Sequence, residues 1–186
     1  MRIISGEFKG RSINYIKNLN TRPLKDSVKE SIFNIIEHSN YIKTVIKNSN
    51  ILDLYSGVGS FGIECISRGS KCVTFLEQDQ LAAKILKDNL NKFMITNKSR
   101  IYNNKIENFL TLDVKDKFDI LFFDPPFADA YFIKNIQYLR LKKIFSKNHI
   151  LIIHREEKSE DNLENLIKIV DLKKYGRSKI IFGIFK

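Results

Sequence analysis

Residues 119–132 read DILFFDPPFADAYF, an apolar run that ends in a carboxylate, two prolines and an aromatic ring. That order of residue types suits one kind of chemistry. An exocyclic amine on a nucleobase is a poor nucleophile, because its lone pair is delocalised into the ring. Two acceptors, the Asp124 carboxylate and the Pro125 carbonyl, can take its two hydrogens, favour a pyramidal nitrogen and aim the lone pair at an electrophile. Proline supplies a carbonyl with no competing N–H, and Pro125-Pro126 stiffens the turn. Phe127 can stack on a base that has left its helix. Taken alone, the tetrad also reads as a strand-ending turn with Phe127 in the core, so its surroundings decide between the two.

The second constellation is ILDLYSGVGSFGIECISRG, residues 51–69. Gly57, Gly59 and Gly62 allow a sharp strand-to-helix turn and a close backbone approach to a ligand. Asp53 stands before that loop at the end of an apolar strand, where a carboxylate suits an ammonium group and repels a pyrophosphate. Glu77 ends the apolar strand VTFL and can accept both hydroxyls of a ribose. A nucleoside that carries an amino acid meets all three conditions. S-adenosyl-L-methionine, which leaves as S-adenosyl-L-homocysteine, is therefore favoured. NAD competes, because Gly57-Val58-Gly59-Ser60-Phe61-Gly62 spells its fingerprint, but the acid ahead of the loop argues against it. Methylation of a pyrimidine carbon needs a nucleophilic cysteine near the fourth strand of the repeating pattern, and neither Cys65 nor Cys72 lies there.

The elements that must position these residues follow from hydrophobic periodicity. Strands are predicted at 50–54, 72–76, 100–103, 118–123 and 149–154, with helices near 60–68, 79–93, 105–111 and 130–143 between them. Strand–helix alternation of this kind gives an α/β fold, a mostly parallel central sheet with helices on both faces. All its strand ends point one way, so the tetrad and the glycine loop should face each other across one cleft. The tail, about 166–174 and 179–185 around Tyr175-Gly176-Arg177, predicts an antiparallel C-terminal hairpin. Ahead of the alternation, 2–5 and 8–16 read as a small N-terminal β-hairpin around Gly6, and a helix starts at Asp26 or Ser27 and runs on to about 48. We divide the chain into an N-terminal extension, residues 1–24, and a catalytic domain, residues 25–186.

Composition sets the partner class. The formal net charge is +11, and Arg2, Lys9, Arg11, Lys17, Arg22, Lys25 and Lys29 crowd the first thirty residues, which favours a polyanion. No apolar run approaches the roughly 18–20 residues that span a bilayer, and the first residues lack the apolar centre of a secretion signal, so a cytoplasmic protein without a membrane partner is expected. Cys65 and Cys72 read as small apolar residues, and His38, His149 and His154 as structural or surface residues. No metal site is expected.

The chain resembles the bacterial 16S rRNA guanine-N2 methyltransferases known as ribosomal small subunit methyltransferase D. The resemblance runs, in order, through MRIISGEFKGRSI, TRPLKDSVKESIFNII, ILDLYSGVGSFGIECISRG, FLEQD, DPPF and YGRSKIIF. It implies a Rossmann-like class I methyltransferase fold and transfer of a methyl group from S-adenosylmethionine to N2 of one guanine. The implied substrate is 16S rRNA within the small ribosomal subunit or its assembly intermediate, and a monomer is expected. On this resemblance Asp53, Tyr55, Ser56, Gly57, Gly59, Glu77, Gln78, Lys105 and Ile106 bind the donor, and Asp124, Pro125, Pro126 and Phe127 are catalytic. Arg2, Lys9, Arg11 and Arg22 are the expected RNA contacts. The rival readings are an amino-methyltransferase acting on adenine N6 in DNA or on a protein glutamine amide, and a non-catalytic donor- and RNA-binding assembly factor.

Overall fold

The computed structural model describes residues 1–15 and 24–186. Five strands, β1 (Asn50–Leu54), β2 (Cys72–Leu76), β3 (Ser99–Tyr102), β4 (Phe118–Phe123) and β5 (Phe145–Glu156), are linked by helices. The helices are α2 (Ser60–Ser67), α3 (Gln80–Phe93), α4 (Ile106–Thr111) and α5 (Phe132–Lys142), and α1 (Asp26–His38) precedes the first strand. A hairpin of β6 (Ile167–Tyr175) and β7 (Ser178–Phe185) closes the chain. The strands form one sheet in the order β3-β2-β1-β4-β5-β7-β6. Pairing is parallel from β3 to β5, and β7 is antiparallel to both β5 and β6.

The alternation of each strand divides the core in two. Ile51, Val73, Phe75, Ile120, Phe122, Ile150 and Ile152 pack on one face with α1, α2 and α3, among them Phe33, Phe61 and Leu86. Their neighbours Leu52, Leu54, Leu76, Leu121, Phe123, Leu151 and Ile153 pack on the other with α4 and α5, including Phe109, Phe132 and Ile136. Burying each such side chain stabilises the fold by about 1.5–3 kcal/mol relative to exposure, and a one-residue slip of β4 would exchange the two sets.

The predicted elements recur with three differences. First, α1 stops at His38 rather than near 48, with Ser39 extended at its C-terminal cap. Beyond it the chain is drawn across the sheet, where the Thr44 hydroxyl donates to the Asn148 carbonyl and Tyr41 to Asp171 on β6. Second, β5 runs from Phe145 to Glu156, because Phe145 pairs with Phe118 on β4 and β7 pairs with it as far as Glu156. Third, the N-terminal hairpin is short: its arms are joined by one antiparallel bridge, Arg2 with Ser12, and by the Ile3, Gly10 and Ile13 amides, which donate to the carbonyls of Arg11, Ile3 and Met1. Other amides fasten the hairpin to α2: Ile4 and Ser5 donate to Glu64, and Glu7 and Phe8 to Ser67. Gly6 permits this, since its φ is +80° and a Cβ there would sit 1.9 Å from the Ser67 carbonyl oxygen. Ile3, Phe8 and Ile13 are thereby built into the first core.

Candidate active site

Chain direction places the cleft. From β1 the chain turns into α2 on one face, whereas from the adjacent β4 it turns into α5 on the other. The two loops part there and leave a crevice at the carboxyl ends of the strands, the usual ligand position in such sheets. It is a cleft of about 930 Å³, and its wall includes Asp53, Tyr55, Ser56, Gly57, Glu77, Gln78, Lys105, Ile106, Asp124, Pro125, Pro126 and Phe127. Twelve of the expected donor-binding and catalytic residues are thus brought together. Gly59 lies beneath the wall as the N-cap of α2, with a φ of +86° and no room for a Cβ, which would meet the Leu86 methyl at 2.4 Å.

The glycine loop offers acceptors more than donors. The Ser56 amide donates to the Leu76 carbonyl at 3.0 Å and the Gly59 amide to the Ser56 carbonyl at 2.8 Å. The Gly57 amide donates to Glu77 Oε2 at 2.7 Å, and the Gly62 amide to Asp53 Oδ2 at 3.0 Å. Asp53 is 1% exposed, and its Oδ1 accepts no hydrogen bond among the described residues. Burial pushes its carboxyl well above the usual range, the Gly62 amide opposes this, and the Asp124 and Glu77 charges add to it. Burial also raises Glu77. Beside Gly57, at φ +54°, nothing lies within 4 Å of where a Cβ would be. A pyrophosphate would meet three carboxylates and four amides already bonded within the protein. An ammonium would meet an unpaired, buried carboxylate oxygen, and so the residues fit S-adenosylmethionine better than NAD.

Across the cleft, the tetrad continues β4, and its first amide, that of Asp124, donates to the Leu54 carbonyl at 3.3 Å. Two neighbours on β5 hold it from opposite sides of that strand. His154 Nδ1 lies 2.7 Å from Asp124 Oδ1, and the imidazole meets the Phe127 ring edge-on with centroids 5.7 Å apart. Because an ionised carboxylate only accepts, Nδ1 carries the hydrogen. Arg155 donates from Nη1 to the Pro126 carbonyl and from Nη2 to the Phe127 carbonyl, each at 3.1 Å. Its guanidinium is itself fixed by Asp161, at 3.1 Å from Nε to Oδ2, and lies over the Phe132 ring. Pro125 is buried and its carbonyl accepts no hydrogen bond among the described residues, whereas that of Pro126 also takes the Asp129 amide. The two acceptors expected for an amine are therefore Asp124 and Pro125, on a backbone held by Arg155.

Sequence reasoning missed both supports. His154 lines the cleft and bonds Asp124, and the only hint was its place at the end of a fifth apolar strand. His149 is structural as expected: Nδ1 faces the Ser146 carbonyl and Nε2 accepts from the Phe185 amide. A further correction concerns the basic N-terminus. Lys29 is 0% exposed, and its ammonium donates to the Arg2 carbonyl and to Ser60, 3.7 Å from the buried Glu64 carboxylate. Burial pushes its pKa down, opposed by Glu64. It is an internal cation, so it adds nothing to the exposed basic charge of the N-terminal region. Arg2, Lys9 and Arg11 are exposed but do not line the cleft, and Arg22 lies outside the described residues. The Arg11 guanidinium rests over the Phe93 ring and donates to the Lys92 carbonyl. The cations that do border the cleft are Lys25, Lys105 and Arg177, the last on the β6–β7 turn.

A family model described as conserved hypothetical protein 95 matches residues 1–184. Ribosomal RNA small subunit methyltransferase D of Buchnera aphidicola subsp. Acyrthosiphon pisum is 35% identical over 156 residues, which cover 84% of this chain and 78% of that protein. The chain belongs to the ribosomal RNA small subunit methyltransferase D family. A second methyltransferase D, from Escherichia coli, is 30% identical over 139 residues, 75% of this chain and 66% of that protein. The solved structure of yhhF from Escherichia coli superposes with a TM-score of 0.85 at 23% identity, covering 100% of this chain and 98% of the other, a likeness of fold. The cleft is thus bounded by one acid-rich wall and one Asp-Pro-Pro-Phe wall. Among the described residues no cluster of histidine, cysteine and carboxylate side chains could hold a metal ion, and no helix is long and apolar enough to cross a membrane.

Proposed function

We propose that this protein transfers a methyl group from S-adenosyl-L-methionine to the exocyclic N2 amine of a guanine in 16S rRNA of the small ribosomal subunit. One observation carries the reading: in the cleft, the Asp124 carboxylate and the unpaired Pro125 carbonyl are presented together on a turn that His154 and Arg155 immobilise. Two acceptors on a rigid backbone suit an NH₂ group, and positioning supplies much of the rate in such a reaction. The relatives' names, ribosomal RNA small subunit methyltransferase D, support ribosomal RNA as the substrate.

When bound, S-adenosylmethionine supplies an electrophilic methyl on its sulfonium. The chain's residues do the rest. Asp53 receives the ammonium of the amino-acid portion, Glu77 the ribose hydroxyls, and the backbone at Lys105 and Ile106 the adenine. Tyr55 and Gln78 shape the same wall. Asp124 and Pro125 hold the two amine hydrogens, and Phe127, half-buried beside His154, stacks on the guanine. Asp124 or water accepts the proton that the amine sheds. Arg2, Lys9, Arg11 and Arg22 contact the RNA backbone around the target.

The deciding experiment incubates the purified protein with labelled S-adenosylmethionine and small subunits from a strain that lacks the modification, then digests the rRNA to nucleosides. N2-methylguanosine at one site is the expected product. Label in N6-methyladenine in DNA, or in a protein glutamine amide, would move the same cleft to another amine. Donor binding without transfer to any of the three would make it a non-catalytic assembly factor. Asp124→Ala should remove most turnover and leave donor affinity nearly intact; an equal loss of both would refute its role.

A further inference from the structure

We infer that His154 is a positioning residue for methyl transfer, fixing which oxygen of Asp124 receives the amine. The inference rests on the reading of Asp124 as the amine acceptor. A carboxylate at the end of a strand has two equivalent oxygens and a χ2 that rotates broadly. Of the Asp124 side chain 26% is exposed, so solvent would share both oxygens if nothing held them. His154 removes that freedom. It is 7% exposed, on β5, which is flanked by β4 on one side and β7 on the other. Its Nδ1–H takes Asp124 Oδ1 at 2.7 Å, which leaves Oδ2 as the oxygen free for the amine. Oδ1, bonded to the imidazole, is no longer available to rotate into that place.

The same ring does a second job. It meets the Phe127 ring edge-on, at an interplanar angle of 77° and a centroid distance of 5.7 Å, so the face of Phe127 is oriented by the group that orients Asp124. One imidazole therefore sets the spacing between the hydrogen-bond acceptor and the stacking surface, the two contacts a guanine would make at once. The neighbouring Arg155 acts on the backbone of the turn, and His154 acts on its side chains.

The test compares His154→Ala, His154→Asn and Asp124→Ala with wild type. Asn places an amide N–H close to where imidazole Nδ1–H stood, so it restores the hydrogen bond without the ring. With small subunits as substrate, we expect His154→Ala to lower kcat by about 10- to 100-fold while the Kd for S-adenosylhomocysteine stays within about twofold. His154→Asn should recover most of kcat with a raised KM for the subunit, because Phe127 has lost its edge contact. His154→Ala added to Asp124→Ala should cost nothing further. Asn as damaging as Ala, an Ala variant with unaltered kcat, or additive losses would each overturn the inference. Imidazole ¹⁵N shifts read the hydrogen bond without any substrate. Wild type should show the Nδ1–H tautomer, and Asp124→Ala should lose it. An Nε2–H tautomer in wild type would refute the inference even if small subunits proved to be the wrong substrate; an inactive wild type with the Nδ1–H tautomer would instead refute the assigned substrate alone.

Discussion

Replacing Lys29 by Met removes an ammonium and leaves a side chain of similar length. That ammonium donates to the Arg2 carbonyl at 2.8 Å and to Ser60 Oγ at 3.2 Å, and it lies 3.7 Å from Glu64, itself 0% exposed. Removing one partner of a buried pair typically costs about 3–5 kcal/mol, because the other charge stays buried. Here Glu64 keeps the amides of Ile4 and Ser5 and Arg68 Nε at 3.0 Å, so the low end applies and we expect a loss of about 3 kcal/mol. At about 2–4 °C per kcal/mol for a domain of this size, Tm should fall by about 6–12 °C. Urea unfolding followed by far-UV circular dichroism, the chain having no tryptophan, gives the free energy from the midpoint if the slope is unchanged. Glu64→Gln should lose more, since it strands Lys29 and turns an acceptor of three donors into a mixed group. The double variant should recover part of the sum, as neither charge then remains alone. A Lys29→Met protein within about 0.5 kcal/mol of wild type would refute the reasoning.

Three further outcomes test other parts of the site. Burial raises the Asp53 carboxyl in the folded state, so what Asp53 contributes to stability is fully present below its unfolded pKa of about 4 and is lost as pH rises through the raised folded value. Thermal melts should therefore show Asp53→Asn more stable than wild type by about 1 kcal/mol at pH 8, with the gain fading towards pH 4, and S-adenosylhomocysteine bound at least about tenfold more weakly; a pH-independent gain would refute the account. Arg155→Lys keeps the charge but cannot bridge two carbonyls and Asp161 at once, so kcat should drop by about 10- to 100-fold with donor Kd unchanged, measured by single-turnover transfer and calorimetry. Replacing Arg2, Lys9 and Arg11 by Ala should weaken small-subunit binding and flatten its log–log salt dependence by about 1–2, at about 0.7 per phosphate contact on single strands, with Arg11 giving least because Phe93 and the Lys92 carbonyl already hold it. An unchanged slope would move the RNA face towards Lys25 and Arg177.

Period and spacing determined the scaffold of this protein. Apolar runs such as ILDL and ILFF, each bounded by turn residues, are strands whichever partners they find, and Asp53, Glu77 and Asp124 at their ends could only meet on one side of a parallel sheet. That one acid-rich wall and one Asp-Pro-Pro-Phe wall share a cleft was legible for that reason. What period cannot show is which distant group satisfies a given polar atom. Glu64 holds Ile4 and Ser5 across some sixty residues of chain, and it latches the N-terminal hairpin onto α2. Lys29 looks like one more surface cation in DSVKESIF, yet it lies on the buried stripe of α1 beside Glu64. His154 and Arg155 are adjacent, and a strand sends adjacent side chains to opposite faces; only the packing of β5 against β4 brings both onto one turn, one to its carboxylate and one to its carbonyls. Hydrogen-bond partners across strands depend on register and approach, which the tertiary fold alone decides.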